Sequence, residues 1–439
     1  MENTFVHAFR EAAPYIHYLR GKTVVVGLAS ALLQPSILPT LAADLNLLAA
    51  LGVRLVLVHG VDTQLRQLCQ QNQYIIREQS QRLICDETLI RWVKQINGEL
   101  NYDVQAALSL GFAHSPQRTP RLRIAQGNFL SAKPLGVLDG VDMLYTGGVR
   151  KVDGAGITHA LNDGSVVLVS PLAASASGQI YHLPMDEVAQ HIAQAVSAEK
   201  LIFLIPESGI MNAQSSLHSE LTAEQAQQLL REQQILPHQT HLLQTAIDAV
   251  QQGISRVQIL SGVQQGDLLR ELFTRHGAGT SIAQNPFIHI RRAQSRDIAD
   301  IIALIQPLAE QGVLLPRSRE YLEAHLAQFY VLEHDRQISG CVELKTFANQ
   351  ADAAELACLA VSQHARDGGY GEHLLAHLVQ EAKAQGKTRL FALSTRATDW
   401  FQERGFVPAS VADLPNERRE QYLAQARQSK IFVLDLAGG

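Results

Sequence analysis

Cysteine is scarce: the 439 residues contain four, Cys69, Cys85, Cys341 and Cys358, with no C-x-x-C pair and no histidine nearby at ligand spacing. That distribution argues against a disulfide framework and a zinc site, and it fits reduced thiols in a cytoplasmic protein with no metal. An excess of basic charge is missing too. Lysine plus arginine number 37 against 42 aspartates and glutamates, a net charge of −5, and the pairs Arg291/Arg292 and Arg418/Arg419 are too short for a nucleic-acid footprint. No nucleic-acid partner is expected. One stretch lacks charge altogether, residues 23–43, but Gln34, Pro35 and Pro39 interrupt it. It parses as strand 24–28, a turn and a helix reaching Leu51 rather than as a membrane span. The preceding "MENTFVHAFREAAPYIHYLRGK" is acidic and aromatic where a secretory signal would be basic and then apolar. Neither a membrane segment nor export is expected.

What the chain does contain is ordinary globular material, 46% hydrophobic and 18% charged, long enough for two domains. Up to residue 284, short β-rich runs ("TVVVGL", "RLVLVHG", "SVVLVS", "KLIFLI", "RVQIL") alternate with helical stretches such as 185–198 and 222–232. That rhythm predicts an α/β domain around a largely parallel sheet. "SIAQNPFIHI" then restarts the chain with a new strand. Residues 285–439 read as strand, helix 295–311, helix 319–329, and a hairpin "YVLEHDRQISGCVELKTF" turning at "HDRQ". Strand and helix follow around a glycine turn, then "RLFAL", a helix in "ATDWFQERGF" and the strand "IFVLDL". The boundary falls near residue 285, with no long linker and no internal repeat.

The glycine turn carries the first chemical signal. "LACLAVS" reads as a buried strand running into "ARDGGYG", after which residues 372–384 place Leu374, Leu375, Leu378, Val379 and Ala382 at helical spacing. Helix amino termini offer unpaired N–H groups and the positive end of the dipole, and glycine lets a pyrophosphate approach the backbone. Glycine spacing alone fits a plain tight turn equally well.

The full string, Arg366-x-x-Gly369-x-Gly371 after "LAVS" and followed by "WFQERGF", resembles the GCN5-related N-acetyltransferases, in which R-x-x-G-x-G binds the pyrophosphate of acetyl-CoA. The resemblance implies an α+β domain and a cosubstrate site at Cys358, Leu359, Val361, Arg366, Gly368, Gly369, Tyr370 and Gly371, with backbone N–H groups of residues 358–361 on the thioester oxygen. The family often has a proton-donating tyrosine where this chain has Phe401. The first half resembles the amino acid kinases, and specifically acetylglutamate kinases, through "VRLVLVHG", "GNFLSAKPLGVLDGVD" and "ELFTRHGAGTSI". Yet "VVGLAS" stands where those enzymes carry Lys-x-Gly-Gly, and His59-Gly60-Val61-Asp62 where they carry His-Gly-Gly-Gly. Without that cradle the transferring phosphoryl charge has no stabiliser, so domain 1–284 is expected to be kinase-like and catalytically silent.

A silent kinase-like domain ahead of an acetyltransferase domain, 285–439, is similar to the layout of the bacterial N-acetylglutamate synthase family. That resemblance implies acetyl transfer from acetyl-CoA to the α-amino group of L-glutamate, the first step of arginine biosynthesis, with L-arginine as inhibitor. The attacking amine must be neutral, so a base is needed. Glu355, on the strand feeding the glycine turn, matches the family's base; a solvated carboxylate at the strand start is the plain alternative, and Glu343 is the next candidate. Arg317, Lys345, Arg418 and Arg427 match the glutamate site, whose two carboxylates call for cations. Ser394 belongs to the same set and is a candidate to protonate the departing thiolate. Cys358 reads as a buried small hydrophobe.

In domain 1–284, "ELFTRHGAGT" matches the arginine-binding signature of arginine-inhibited acetylglutamate kinases. By that resemblance Glu271 holds the guanidinium, Gly277 and Gly279 shape the loop, and Lys200 lies near the ligand's carboxylate. A histidine common five residues before the glutamate is Gly266 here. "FREAAPYIHYLRGK" resembles the helix that joins subunits of hexameric relatives; an amphipathic helix folded on its own domain is the alternative. Rival readings are an acetyltransferase for another amine, a non-catalytic arginine sensor, and an active kinase, which the missing cradle opposes.

Overall fold

The computed structural model describes all residues except 1–3, 111–121, 213–215, 275–276, 285–287, 335–336, 348–349, 363–368, 397, 425–428 and 437–439. It divides into two compact units, Met1–Pro286 and Phe287–Gly439.

The first unit is built on an eight-stranded sheet whose four central strands are Arg256–Ser261, Lys200–Ile205, Thr23–Leu28 and Arg54–His59. Ser165–Val169 and Arg123–Ala125 extend one side, Thr280–Ala283 and Glu220–Thr222 the other. Only the pairing of Arg256–Ser261 with Thr280–Ala283 is antiparallel. The β-branched run "TVVVGL" explains the position of its strand: Val24, Val26 and Leu28 face one core layer and Val25 the other, so both faces of the sheet are covered. A small second sheet, Ile180–His182, Leu172–Ala174, Leu130–Pro134 and Gly147–Val152, is an addition to the expected elements. So is the long helix Glu87–Ser109, capped by Asp86, whose side chain accepts from the N–H groups of Thr88 and Leu89. Helix Thr4–Leu19 lays Ala12, Tyr15, Ile16 and Leu19 on the core and leaves Val6 and Phe9 exposed.

The second unit has a seven-stranded sheet in the order Ile288–Arg292, Phe329–His334, Gln337–Thr346, Ala353–Val361, Arg389–Ser394, Lys430–Asp435, Val407–Ala409. Every neighbouring pair is antiparallel except Ala353–Val361 with Arg389–Ser394, which are joined through the helix Tyr370–Ala384. The helix expected over 319–329 is shorter, Arg319–His325 with a 3-10 turn Leu326–Gln328, because Phe329 is fully buried as the first residue of a strand. The helix in "ATDWFQERGF" is likewise only Thr398–Gln402. Asn416–Leu423, which the sequence pattern did not announce, is helical.

Candidate active site

Two departures from regular pairing open the sheet of the second unit. The parallel pair holds only over residues 353–356 against 389–392. Beyond it, Leu393 and Ser394 pair with Lys430–Asp435 alone, and residues 357–361 pair only with Gln337–Thr346, so the two strands part. On the other edge of the same strand the register slips between Cys341 and Glu343, setting Cys358 and Leu359 against Val342. This is a β-bulge, and Cys358 adopts a left-handed φ of 55° within it. A bulge leaves backbone groups outside the ladder and re-aims the residues beside it.

Side chains converge on the opening because alternation puts them on one face. Glu343 and Lys345 lie two residues apart, and Glu355 stands directly across from Lys345. The opposite face carries Val342, Leu344, Ala354 and Leu356 into the core under helix Tyr370–Ala384. The resulting cavity has a volume of about 730 Å³. It gathers Arg317, Lys345, Glu355, Cys358, Leu359, Val361, Gly369, Gly371, Ser394 and Arg418, ten of the residues singled out in the sequence. Tyr370 begins the helix beside the cavity, its ring 5.7 Å from that of His334. Arg366, Gly368 and Arg427 lie outside the described residues.

The charges in this cavity are already organised. Glu355, 4% exposed, accepts from Arg418 Nε at 2.6 Å and from Arg418 Nη2 at 3.1 Å, a two-bond clamp. Arg418 is itself buried, and with Nε and one Nη2 proton on Glu355 it has the Nη1 side of the guanidinium left to donate from. Lys345 Nζ donates to Gln421 Oε1 at 3.0 Å, which leaves two of its protons. Glu343, the alternative base, has both oxygens engaged, by Tyr321 OH at 2.6 Å and Arg317 Nη2 at 3.1 Å. Burial opposes the charge of Arg317, but Glu343, Tyr321 and Cys358 together outweigh it and hold the guanidinium above its usual range. Burial pushes the Cys358 thiol up to about 12 despite nearby Arg317, which keeps it protonated and unsuited to nucleophilic attack. Ser394 Oγ accepts from the Arg396 N–H at 3.3 Å at the rim of the parted strands. Phe401 is buried against Phe406 and Phe432 and has no proton to give.

The glycine turn fits an anion. Gly369, at φ 67°, caps helix Tyr370–Ala384, and a Cβ on Gly371 would meet only the Trp400 ring, 3.4 Å away. Residues that sequence reasoning passed over also line the cavity: Gln421, Tyr422, Ser429, Trp400 and Arg404. Arg404 stacks on Trp400 at 4.3 Å and pairs with Glu372, so that first-turn carboxylate is neutralised beside the helix amino terminus. "WFQERGF" contained both Trp400 and Arg404; nothing in the sequence ties Tyr422 to the site. Among the described residues no group of three or more His, Cys, Asp and Glu side chains is arranged for a metal ion. None of their helices is long and apolar enough to cross a membrane.

In the first unit, Glu271 Oε2 accepts from the Ala278 N–H at 2.8 Å and Oε1 lies 3.7 Å from Lys200 Nζ. Gly277 and Gly279 both have left-handed φ, 59° and 69°, and a Cβ on Gly277 would be driven into Glu271 Oε2. The four residues expected together there are together. The His59 ring is fully buried against Asn101 and the Gly60 carbonyl, followed by a fully buried Val61.

The Amino acid kinase family profile matches residues 22–261, and that of the Acetyltransferase (GNAT) family matches 297–406. An amino-acid acetyltransferase of Neisseria meningitidis serogroup A is 46% identical over 430 residues, 98% of each chain. One of Pseudomonas fluorescens is 40% identical, again over 98% of each. The crystal structure of N-acetylglutamate synthase from Neisseria gonorrhoeae complexed with coenzyme A and L-arginine is 44% identical, covers 99% of this chain and 100% of its own, and superposes with a TM-score of 0.89. The same enzyme complexed with coenzyme A and N-acetyl-glutamate gives 0.64. Likeness at this identity runs through both units in one order, and on that ground the chain belongs to the amino-acid acetyltransferase family.

Proposed function

We propose that the chain transfers the acetyl group of acetyl-CoA to the α-amino group of L-glutamate, giving N-acetyl-L-glutamate and CoA, and that L-arginine inhibits it. One observation carries the reading: a single cavity joins a buried carboxylate, four cationic side chains and a glycine-capped helix amino terminus at a break in the sheet. Acetyl-CoA supplies the acetyl thioester, its pyrophosphate suited to the turn at Gly369 and Gly371. Glu355 accepts a proton from the substrate ammonium on a lone pair not used by Arg418, freeing the amine for attack on the carbonyl carbon. Backbone N–H groups at the bulge hold the carbonyl oxygen as it gains negative charge. As the new C–N bond forms and the C–S bond breaks, Ser394 hands its hydroxyl proton to the thiolate sulfur and is reprotonated by the second proton lost from the attacking nitrogen. Arg317, Lys345 and the Nη1 edge of Arg418 hold the two substrate carboxylates, with Arg427 in the same set.

Arginine binding is assigned to Glu271 and Lys200 around the loop shaped by Gly277 and Gly279, the guanidinium displacing Lys200 from the Glu271 carboxylate. Phe9 and Val6, 56% and 39% exposed on the first helix, support its use as a subunit contact in a hexamer. We assign the protein to the cytoplasm, the effect of arginine to allostery, and the units 1–284 and 285–439 to regulation and acetyl transfer. The test is thiol release from acetyl-CoA with a panel of amino acids. Release stimulated by glutamate and suppressed by arginine is expected. Stimulation by a different amine alone would replace the substrate, and absence of turnover with any amine would leave a sensor.

A further inference from the structure

Arg317 reaches the cavity from a loop just before helix Arg319–His325, a poor platform for a side chain with four rotatable bonds. The structure supplies what the loop does not. Glu343 is fully buried on the sheet, fixed by strand pairing on both sides, and spends one oxygen on Arg317 and the other on Tyr321. Tyr321, three residues after Ser318 caps the helix, places its ring 4.4 Å under the Arg317 guanidinium. The same ring stacks with His325 at 4.2 Å. The guanidinium is thus held at one edge by charge and at one face by an aromatic ring. Its Nε–H is buried beside the cavity with no acceptor. A buried donor left unsatisfied costs free energy, and it is the part of the guanidinium lining the cavity, not this inaccessible N–H, that can meet a substrate carboxylate.

We propose that Glu343 and Tyr321 are positioning residues for substrate recognition: they lock Arg317 so that its unused N–H edge meets one carboxylate of the amino-acid substrate. The proposal rests on the glutamate reading of the cavity. It also gives Glu343 a role distinct from that of a base: unlike Glu355, it is fully buried and is not among the residues that line the cavity. Glu343 balances the cation within the wall, so Arg317 enters the cavity as an oriented hydrogen-bond fork more than as a bare positive charge. Selectivity between a carboxylate and a neutral amide on the substrate then depends on orientation.

Steady-state thiol release separates this role from a structural or catalytic one. Four proteins are compared with wild type: Tyr321→Phe, Glu343→Gln, Arg317→Met and the double variant Arg317→Met/Glu343→Gln. Tyr321→Phe removes one bond and keeps the ring, so the glutamate KM should rise about threefold to tenfold, and Glu343→Gln should raise it about tenfold or more. In both, kcat and the acetyl-CoA KM should stay within about threefold of wild type. With Arg317 already gone, adding Glu343→Gln should raise the glutamate KM no further, because the two act through one contact. A fall in kcat of about 100-fold or more in Glu343→Gln at unchanged glutamate KM would make Glu343 a base and overturn the proposal. Equal increases in both KM values would mark a merely structural role and overturn it too. An unchanged glutamate KM in Arg317→Met would remove the substrate reading itself, a result distinct from a raised KM there with no change in the Tyr321 and Glu343 variants. If Glu343→Gln does not fold, the conservative Tyr321→Phe decides the matter by the same split.

Discussion

With both oxygens of Glu355 accepting from Arg418, replacing the residue by glutamine changes two things at once. The base disappears, and a buried guanidinium loses its counter-charge. The first effect should lower kcat by about 10²- to 10⁴-fold while acetyl-CoA still binds, and the deficit should shrink as pH rises and more substrate amine is free. The second should lower the thermal unfolding temperature, because an unpaired buried charge is costly. Calorimetric acetyl-CoA binding, a pH–rate profile and a melting curve test the three parts separately; undiminished turnover near neutral pH would move the base elsewhere. A second, partly buried ion cluster makes no such contribution to chemistry and should show in stability. His241 Nδ1 lies 2.6 Å from Asp186 and Nε2 lies 3.3 Å from Glu187. The hydrogen bond to Asp186, then that to Glu187, pushes His241 up to about 10 from an ordinary 6.5, against the effect of burial. A histidine whose folded value is raised contributes stability that is fully present below the unfolded value and is lost as pH climbs through the folded one. The gap in unfolding temperature between wild type and His241→Gln should therefore be widest near pH 6 and narrow toward about pH 10. A gap that widens with pH would contradict the pairing.

At the scale of the element, the strand–turn–helix around Gly369 and Gly371 invites a substitution that spares the fold. Gly371 is the second residue of helix Tyr370–Ala384, where an aspartate favours the helix dipole. Its Cβ has room beside Trp400. Gly371→Asp should accordingly fold normally yet weaken acetyl-CoA binding, by placing a carboxylate where the pyrophosphate is to sit; calorimetry showing wild-type affinity would refute the placement. This element was legible because glycine, strand and helix signals are local. The same holds for "TVVVGL" and "RLVLVH", whose buried β-branched runs announce central strands. Other features are not local. The bulge at Cys358 is a matter of register between two strands, and an alternating apolar pattern carries no record of which residue is left over. Tyr321 and Glu343 meet across 22 positions in sequence. Helix Asn416–Leu423, "NERREQYL", has no apolar face to read and presents Arg418 to Glu355 only through the tertiary fold. Helix Glu87–Ser109 is a different case: Leu89, Ile90, Val93, Ile96 and Leu100 did carry its period, and that signal was passed over.

For the whole molecule the question is what a kinase-like unit without a phosphate cradle contributes. Its loop around Gly277 and Gly279 is held in left-handed backbone, and its partly buried Glu271 accepts from the Ala278 N–H while Lys200 stands near its second oxygen. A guanidinium suits that carboxylate better than an ammonium 3.7 Å away, since it forms paired hydrogen bonds in a fixed fork. If arginine binds there, its site and the thioester cavity belong to different units, and inhibition is a coupling between two sites, typically about 1 to 3 kcal/mol. Linkage makes that coupling reciprocal for binding, so saturating acetyl-CoA and glutamate should weaken arginine binding by the same factor. Glu271→Ala removes the carboxylate and alters no residue of the second unit. Turnover without arginine should remain near wild type, while the arginine concentration for half-inhibition should rise by about tenfold or more, the loss expected for a charge-assisted bond. Paired arginine titrations of thiol release on wild type and Glu271→Ala provide the measurement. Equal sensitivity in the two proteins would mean that arginine acts elsewhere, most directly by competing with glutamate for Arg317 and Lys345. That competition would disappear at high glutamate, whereas a coupling between separate sites would leave residual inhibition at saturating glutamate. The two mechanisms therefore part in the same experiment.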